Sequence, residues 1–268
     1  MAIYQISQRW AQELINQLVI LTCTVRTKMT QGMQRSDMSL RVEDYSKAIR
    51  EWSTLSKLFG FKILVAENSN SIRDLQDSVS AFDNPNLVFV QLGEDTKSQF
   101  EGNSAGEFQI LKELLDRGLV SNEIDLIWKV TGRLAVPNFK KICISENSDF
   151  IVNRLYTPTH LIDTRVIAFS PSSFREVFSK NPIFTMGIYS KKDEDVRTYS
   201  SLEHFITLEV LNSEIRGLRV KSMRQVPIFV GYSGTSNKVI DGNLSSLKKK
   251  LANFIRPVIV RLLAGSTP

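Results

Sequence analysis

Two cysteines and two histidines are all that 268 residues offer for thiol or imidazole chemistry. Cys23 and Cys143 lie far apart in apolar, strand-like runs, so no disulfide framework is expected, and both read as reduced, buried thiols of a cytoplasmic protein. His160 and His204 are too few and too scattered for a zinc site. No run of about 18 apolar residues occurs, so no spanning helix is expected. The opening MAIYQISQRWAQELINQ has neither an apolar signal core nor a cleavage site, which argues against export by that route. GxxxxGK[ST], GxGxxG after the first strand, GxSxG and HExxH are all missing. Their absence counts against a P-loop ATPase, a dinucleotide oxidoreductase, an α/β hydrolase and a zinc protease.

What remains is a globular composition, 42% hydrophobic and 23% charged, with 34 basic residues against 28 acidic ones. The net charge of +6 favours anionic partners without choosing among nucleotide, phospholipid and nucleic acid. The basic residues are scattered outside the tail and one strand end, unlike the single stripe of a nucleic-acid binder, so no nucleic-acid partner is expected.

The first half alternates strand and helix. Leu18–Val25 is a continuous apolar, β-branched run, as expected of a strand buried on both faces. Val42, Tyr45, Ile49, Trp52 and Leu55 form one apolar stripe over a helix at Arg41–Leu58. Phe61–Ala66, Leu87–Gln91 and Ile124–Val130 read as strands, and Ser71–Phe82 as a helix. Ser104 and Glu107 read as a capping box ahead of a helix that stops at Gly118. Such alternation predicts an α/β fold with a mostly parallel sheet and helices on both faces.

After about Pro137 the pattern is mixed. Lys141–Ser145, Phe150–Leu155, Leu161–Phe169 and Val226–Gly231 read as strands, and Ser172–Phe178 and Ser200–Leu211 as helices. No linker divides the halves, so one continuous domain is expected. It would comprise a nucleotide-binding half over 1–137, an acceptor half over 138–243 and a basic amphipathic segment over 244–268.

Ligands of such sheets sit beyond the carboxyl ends of the strands, so the polar clusters there are the candidates. Glu67-Asn68-Ser69 follows the second strand, where a carboxylate can take hydrogen bonds from a ribose or a base, or can simply form a turn. Gly102-Asn103-Ser104-Ala105-Gly106-Glu107 opens a helix whose free N–H groups suit a phosphate. Lys129-Val130-Thr131-Gly132-Arg133 ends the fourth strand with two cations that suit a pyrophosphate. Trp128 either packs in the core or stacks on a sugar or base. Ser233-Gly234-Thr235 either grips a phosphate or glycan hydroxyl or is a plain Gly-rich turn.

Together, the LTCTVR, VAENS, GNSAGE and KVTGR elements, with Ile162-Asp163-Thr164-Arg165 and the PIFVGYSGT run from Pro227, resemble bacterial GT-A-type glycosyltransferases of capsule and O-antigen assembly. The resemblance spans roughly residues 18–236, in short pieces. It implies a Rossmann-like GT-A fold and transfer of a sugar from a nucleotide-diphosphate donor to a hydroxyl of a lipid-linked or oligosaccharide acceptor. Thr24, Glu67 and Asn68 would line the nucleoside pocket. Gly106, Glu107, Lys129, Arg133, Asp163 and Arg165 would lie around the donor, and Ser233 and Thr235 on the acceptor side.

One departure stands out. GT-A enzymes commonly hold Mn²⁺ or Mg²⁺ with an Asp-x-Asp, and none follows the fourth strand here. Asp193-Glu194-Asp195 reads as a solvated loop. Either Asp163 serves as a lone ligand, or Lys129, Arg133 and Arg165 replace the metal with fixed positive charge. For an inverting reaction Glu203 is the candidate general base, with Glu107 its rival, although Ser200 and Glu203 also spell a capping box. His204 reads as a helix-surface residue.

Residues 244–263 put Leu244, Leu247, Leu251, Phe254, Ile255, Val258, Ile259 and Leu262 on one helical face, and four basic residues on or beside the other. That suits a helix lying peripherally on an anionic membrane, and equally a stripe packed on the protein itself, with a break at Pro257. The rival function is a nucleotidylyltransferase or another nucleotide-binding α/β enzyme. The Gly- and Lys-rich loop of the sugar nucleotidylyltransferases is missing after the first strand. A non-catalytic basic binding protein is the remaining alternative.

Overall fold

The structure, a computed structural model, describes residues 16–27, 36–96, 102–121, 123–143, 147–154, 162–184, 198–199, 201–232 and 239–240. Its centre is β1 (Gln17–Cys23), buried at all seven positions. Val19, Leu21 and Cys23 face one apolar cluster and Leu18 and Ile20 the other, the two-residue alternation of a strand covered on both sides. On one flank lie β2 (Lys62–Glu67) and β3 (Leu87–Gln91), both parallel to their neighbours. On the other lie β4 (Leu126–Thr131), β7 (Val166–Phe169), β6 (Phe150–Val152) and β10 (Val220–Ser222). β4 is parallel to β1, β7 runs antiparallel to both its neighbours, and β6 and β10 are parallel to each other. The expected mostly parallel α/β sheet is therefore what the chain forms, and strands from both halves share it.

The helix α1 (Met38–Phe59) starts where the Asp37 side chain accepts from Leu40 N at 2.9 Å and stops at Gly60, which is left-handed at φ 79°. Its apolar stripe delivers Trp52 into a cluster with Phe61 and Phe139, edge to face, while Trp52 Nε1 donates to Leu134 O at 2.9 Å. The same face of the sheet is covered by α2 (Ile72–Val79) and α4 (Phe139–Ile142). The opposite face carries α3 (Asn103–Asp116), α5 (Pro171–Phe178) and α6 (Leu202–Ile215). Among the described residues two small sheets accompany the main one. One is β5 (Leu134–Ala135) with β11 (Val230–Tyr232) and β12 (Val239–Ile240), and the other pairs β8 (Ile183–Phe184) with β9 (Thr198–Tyr199).

Several sequence expectations are corrected. The Ser104–Glu107 capping box does not form: Gly102 is the N-cap, without a side-chain cap, and Glu107 turns toward the sheet. The cap of α6 is Ser201, whose hydroxyl accepts from His204 N at 3.2 Å, so Glu203 is released from the box expected with Ser200. Lys141–Ser145 is not a strand. Phe139 and Ile142, three apart, bury the inner face of the short helix α4, and 144–146 lie outside the described residues. The strand expected over Leu161–Phe169 begins only at Val166, because the Asp163 carboxylate accepts from Arg165 N at 3.1 Å and turns the chain. Phe150–Leu155 likewise shortens to Phe150–Val152, with Arg154 as an isolated bridge to Ile162. Val226–Gly231 contracts to Val230–Tyr232.

Among the described residues, no helix is long and apolar enough to cross a membrane. His160, Asp193–Asp195, Ser233, Thr235 and 244–263 lie outside them.

Both thiols are free and buried. Burial, reinforced by the Glu67 charge, holds the Cys23 thiol well above the ordinary value of 9.0, and burial alone does so for Cys143. Both should resist iodoacetamide at pH 8 in the folded protein and react only on unfolding. Because the native thiols keep their protons where unfolded ones lose them, the stability they contribute is fully present below pH 9.0 and is lost as pH rises past it. Rapid native labelling, or a flat alkaline stability profile, would contradict this.

Candidate functional site

The strand order reverses at β1: β2 and β3 build outward on one side, and the chain then crosses back to lay β4 on the other. In open α/β sheets the crevice beyond the carboxyl ends at such a switch point is where ligands bind. A cavity of about 350 Å³ lies there, lined from β1 and its exit by Thr22, Thr24 and Thr27 and from the β4 exit by Thr131, Arg133 and Leu134. Arg41 and Tyr45 of α1, Gly106 and Glu107 of α3, and Arg165 and Glu203 also reach it. Six of the residues singled out from the sequence (Thr24, Gly106, Glu107, Arg133, Arg165 and Glu203) thus share one cavity.

The β4 exit is shaped by Gly132. Its N–H donates to Thr22 O at 3.0 Å, and a Cβ there would stand 2.6 Å from both Thr22 O and Cys23 Sγ. Only a residue without a side chain lets the chain leave β4 this close to β1. The next residue, Arg133, carries its guanidinium 5.9 Å from the Tyr45 ring centroid. Its Nε and Nη1 are buried and have no hydrogen-bond partner among the described residues. A buried, unsatisfied guanidinium at a cavity wall is costly unless an anion completes it.

The other cations are engaged. Arg41 donates through Nε to Thr24 O and Val25 O at 3.1 and 3.0 Å and through Nη2 to Thr24 O, so it braces the β1 exit. Burial pulls its guanidinium below the usual arginine range. Arg165 forks onto Asp163, Nε to Oδ1 at 2.9 Å and Nη2 to Oδ2 at 2.7 Å, and lies 4.2 Å from the Phe229 ring centroid. Burial works against its charge, and the hydrogen bonds to Asp163 with the charges of Asp163 and Glu203 outweigh it, so its basicity rises. Lys129 lies beneath the cavity floor and does not line it. Its Nζ meets Glu107 Oε1 at 2.6 Å and Thr164 O at 2.5 Å.

Three carboxylates line the cavity, Asp95, Glu107 and Glu203. Glu107 takes Thr22 Oγ1 at 2.9 Å and Lys129, both on Oε1, and Oε2 has no partner among the described residues. Glu203 accepts from Thr164 Oγ1 at 2.7 Å, also on Oε1, and its Oε2 is likewise without a hydrogen bond among the described residues.

Glu67 is buried and outside the cavity. It accepts from Val25 N at 3.2 Å, Ser69 N at 2.8 Å and Ser71 N at 2.9 Å, and from Ser69 Oγ. Four donors on one carboxylate lock the exits of β1 and β2 together and make its burial tolerable. Asn68 instead lines a smaller cavity of about 160 Å³ with Arg26, Thr27, Ser69 and Asp95. The two cavities share Thr27 and Asp95. Thr27 Oγ1 and Asn68 Nδ2 are buried without partners among the described residues, although Asn68 Oδ1 accepts from Thr24 Oγ1 at 2.7 Å. Trp128 is wholly buried in the core and donates to Gln17 Oε1 at 2.8 Å.

A divalent cation does not fit what is described. Both Asp163 oxygens are spent on Arg165, with Asn153 Nδ2 also on Oδ2 at 3.1 Å, and no cluster of three His, Cys, Asp or Glu side chains that could hold a metal occurs among the described residues.

No site role was expected from the sequence for Arg41 or Tyr45, and Thr22, Thr131 and Tyr232 stood there only as members of longer runs. Thr22 was hidden inside an apolar strand run. Arg41 carried a signal that went unused, an arginine flanking the apolar stripe of α1.

No protein-family model matches the chain, and no curated protein does. Solved structures similar to it include the inositol-1-phosphate CTP transferase from T. maritima, 13% identical with a TM-score of 0.45, over 84% of this chain and 91% of that one. The galactosyltransferase LgtC is 10% identical, TM-score 0.44, over 77% and 72%. The catalytic domain of Drosophila β1,4-galactosyltransferase 7 is 12% identical, TM-score 0.40, over 84% and 69%. This is a likeness of fold, and the reading of the site rests on the chain's own residues.

Gly132→Ala should lower stability by about 1–3 kcal/mol through forced displacement of β1 or β4, read as a lower urea midpoint. A wild-type midpoint would remove the close approach from the account.

Proposed function

We propose that the chain is a glycosyltransferase that moves a sugar from a nucleoside diphosphate to a hydroxyl of a glycan or lipid-linked acceptor in bacterial surface polysaccharide assembly. The observation that carries this is Arg133, whose buried Nε and Nη1 lack partners among the described residues at the switch-point cavity. A diphosphate supplies the missing acceptors, and a guanidinium matches phosphate oxygens two at a time. With the diphosphate at Arg133, the nucleoside lies toward Thr27, Asn68 and Asp95, and the sugar toward Glu107 and Glu203.

In the transfer step the acceptor oxygen bonds to the anomeric carbon while the bond from that carbon to the diphosphate breaks. The electron pair leaves on the nucleoside diphosphate, where the Arg133 charge stabilises it. The acceptor proton passes to the carboxylate oxygen of Glu203 that Thr164 leaves open, which gives the inverted anomer. A lipid-linked acceptor gives the basic amphipathic pattern of 244–263 a purpose at an anionic membrane surface.

The first test is a thermal-shift panel of UDP, GDP, dTDP, CDP and CMP, each with Mn²⁺ and with EDTA. A ligand at about 100 times its Kd adds roughly 2.7 kcal/mol, so selective stabilisation by one nucleotide is the expected result. No shift with any of them would sink the reading. Arg133→Ala should cost about 1.5–3 kcal/mol of that binding, on the order of 10- to 100-fold in Kd, as for a lost charged hydrogen bond. Glu203→Gln should leave nucleotide affinity intact and slow transfer about 10²- to 10⁴-fold. Undiminished turnover would remove Glu203 as the base.

A further inference from the structure

We infer that the two cations of KVTGR do different work, and that Lys129 is a positioning residue that holds two of the cavity carboxylates, Glu107 and Glu203, in place without touching the donor. This deepens the transferase reading and rests on it. The Lys129 side chain is 1% exposed, so the ammonium is withdrawn from any ligand in the cavity. It has three protons and three acceptors: Glu107 Oε1 at 2.6 Å, Thr164 O at 2.5 Å and Thr131 Oγ1 at 3.5 Å. None is left for a phosphate.

Those acceptors are placed to matter. Glu107, from the second turn of α3, turns one oxygen down to Lys129 and Thr22. Thr164 sits on the turn before β7, and its carbonyl is fixed by Lys129 while its hydroxyl donates to Glu203 Oε1 at 2.7 Å. One buried ammonium therefore fixes a carboxylate on each side of the cavity, directly on the α3 side and through Thr164 on the α6 side. In both, the oxygen tied down is Oε1, and Oε2 has no hydrogen-bond partner among the described residues. Hydrogen bonds of this kind around a reacting group set its angle and reach rather than its affinity for ligand.

The experiment uses the full chain and four variants, Lys129→Met, Glu107→Gln, the double variant and Thr164→Val. Each is measured for calorimetric affinity toward whichever of UDP, GDP, dTDP, CDP and CMP stabilises the wild type. Each is also measured for release of that nucleotide from the corresponding sugar nucleotides. Lys129→Met should keep nucleotide affinity within about threefold of wild type and lose at least about 100-fold in kcat. The double variant should be no slower than Lys129→Met alone, since both changes break one unit. Thr164→Val keeps the ammonium and the buried volume, so it serves even if Lys129→Met fails to fold, and it should lower kcat about 10-fold at unchanged affinity.

An affinity loss in Lys129→Met as large as that in Arg133→Ala would make Lys129 a phosphate contact and overturn the inference. Additive losses in the double variant, or wild-type kcat in Thr164→Val, would do the same. Failure of the underlying reading shows separately, as wild-type protein that binds none of the five nucleotides, and it would take the positioning role down with it.

Discussion

The contact on which the site depends is the passage of Gly132 over the end of β1, closed by its hydrogen bond to Thr22 O at 3.0 Å. A side chain at position 132 would meet Thr22 O and Cys23 Sγ and force the two strand ends apart. Here no side chain intervenes, so the exits of β1 and β4 stay together one residue longer and Arg133 emerges over the crevice. Thr22 and Thr131, paired in register beneath it, supply hydroxyls to the floor. Gly231, at φ 146°, continues the arrangement. A Cβ there would come within 2.2 Å of Arg133 O, so β11 closes against β5 only because this position also lacks one.

Around that contact the charges divide by what each has already bonded. Arg41 is committed to the carbonyls of Thr24 and Val25, Arg165 to Asp163, and Lys129 to Glu107 and Thr164. Arg133 makes no such commitment among the described residues, and its guanidinium lies over the face of Tyr45. Four cations near one cavity would look interchangeable from composition. Hydrogen bonding ranks them, since a cation already matched to its acceptors gains little from a phosphate and one left unmatched gains much.

The sheet was legible because a doubly covered parallel strand needs a largely apolar, β-branched run, and Leu18–Cys23, Ile63–Ala66 and Leu126–Val130 each show one, interrupted by Thr22 in the first and Lys129 in the last. KVTGR was legible as a site for the same reason, since a Gly and an Arg just past such a run have few other uses. Less visible was the division of labour within it. Lys129 and Arg133 are four residues apart, but strand geometry sends Lys129 inward beneath the sheet's end, whereas the turn at Gly132 frees Arg133. The capping boxes misled because Ser104 and Ser200 have the right spacing to Glu107 and Glu203, whereas the backbone begins each helix elsewhere, at Asn103 after Gly102 and at Leu202 after Ser201. Glu67 was recognised as important for its place after β2. Its four donors, from Val25 to Ser71, come together only in three dimensions.

The central claim is that the crevice at the β1–β4 exits receives a diphosphate on Arg133. The most direct measurement is a crystal structure with the nucleoside diphosphate that stabilises the protein. The account predicts phosphate oxygens within about 3.2 Å of the Arg133 guanidinium, with the base toward Asn68 and Asp95 and with the Lys129 ammonium still on Glu107 and Thr164. A nucleotide bound elsewhere, or in the crevice with its phosphates turned away from Arg133, would contradict it.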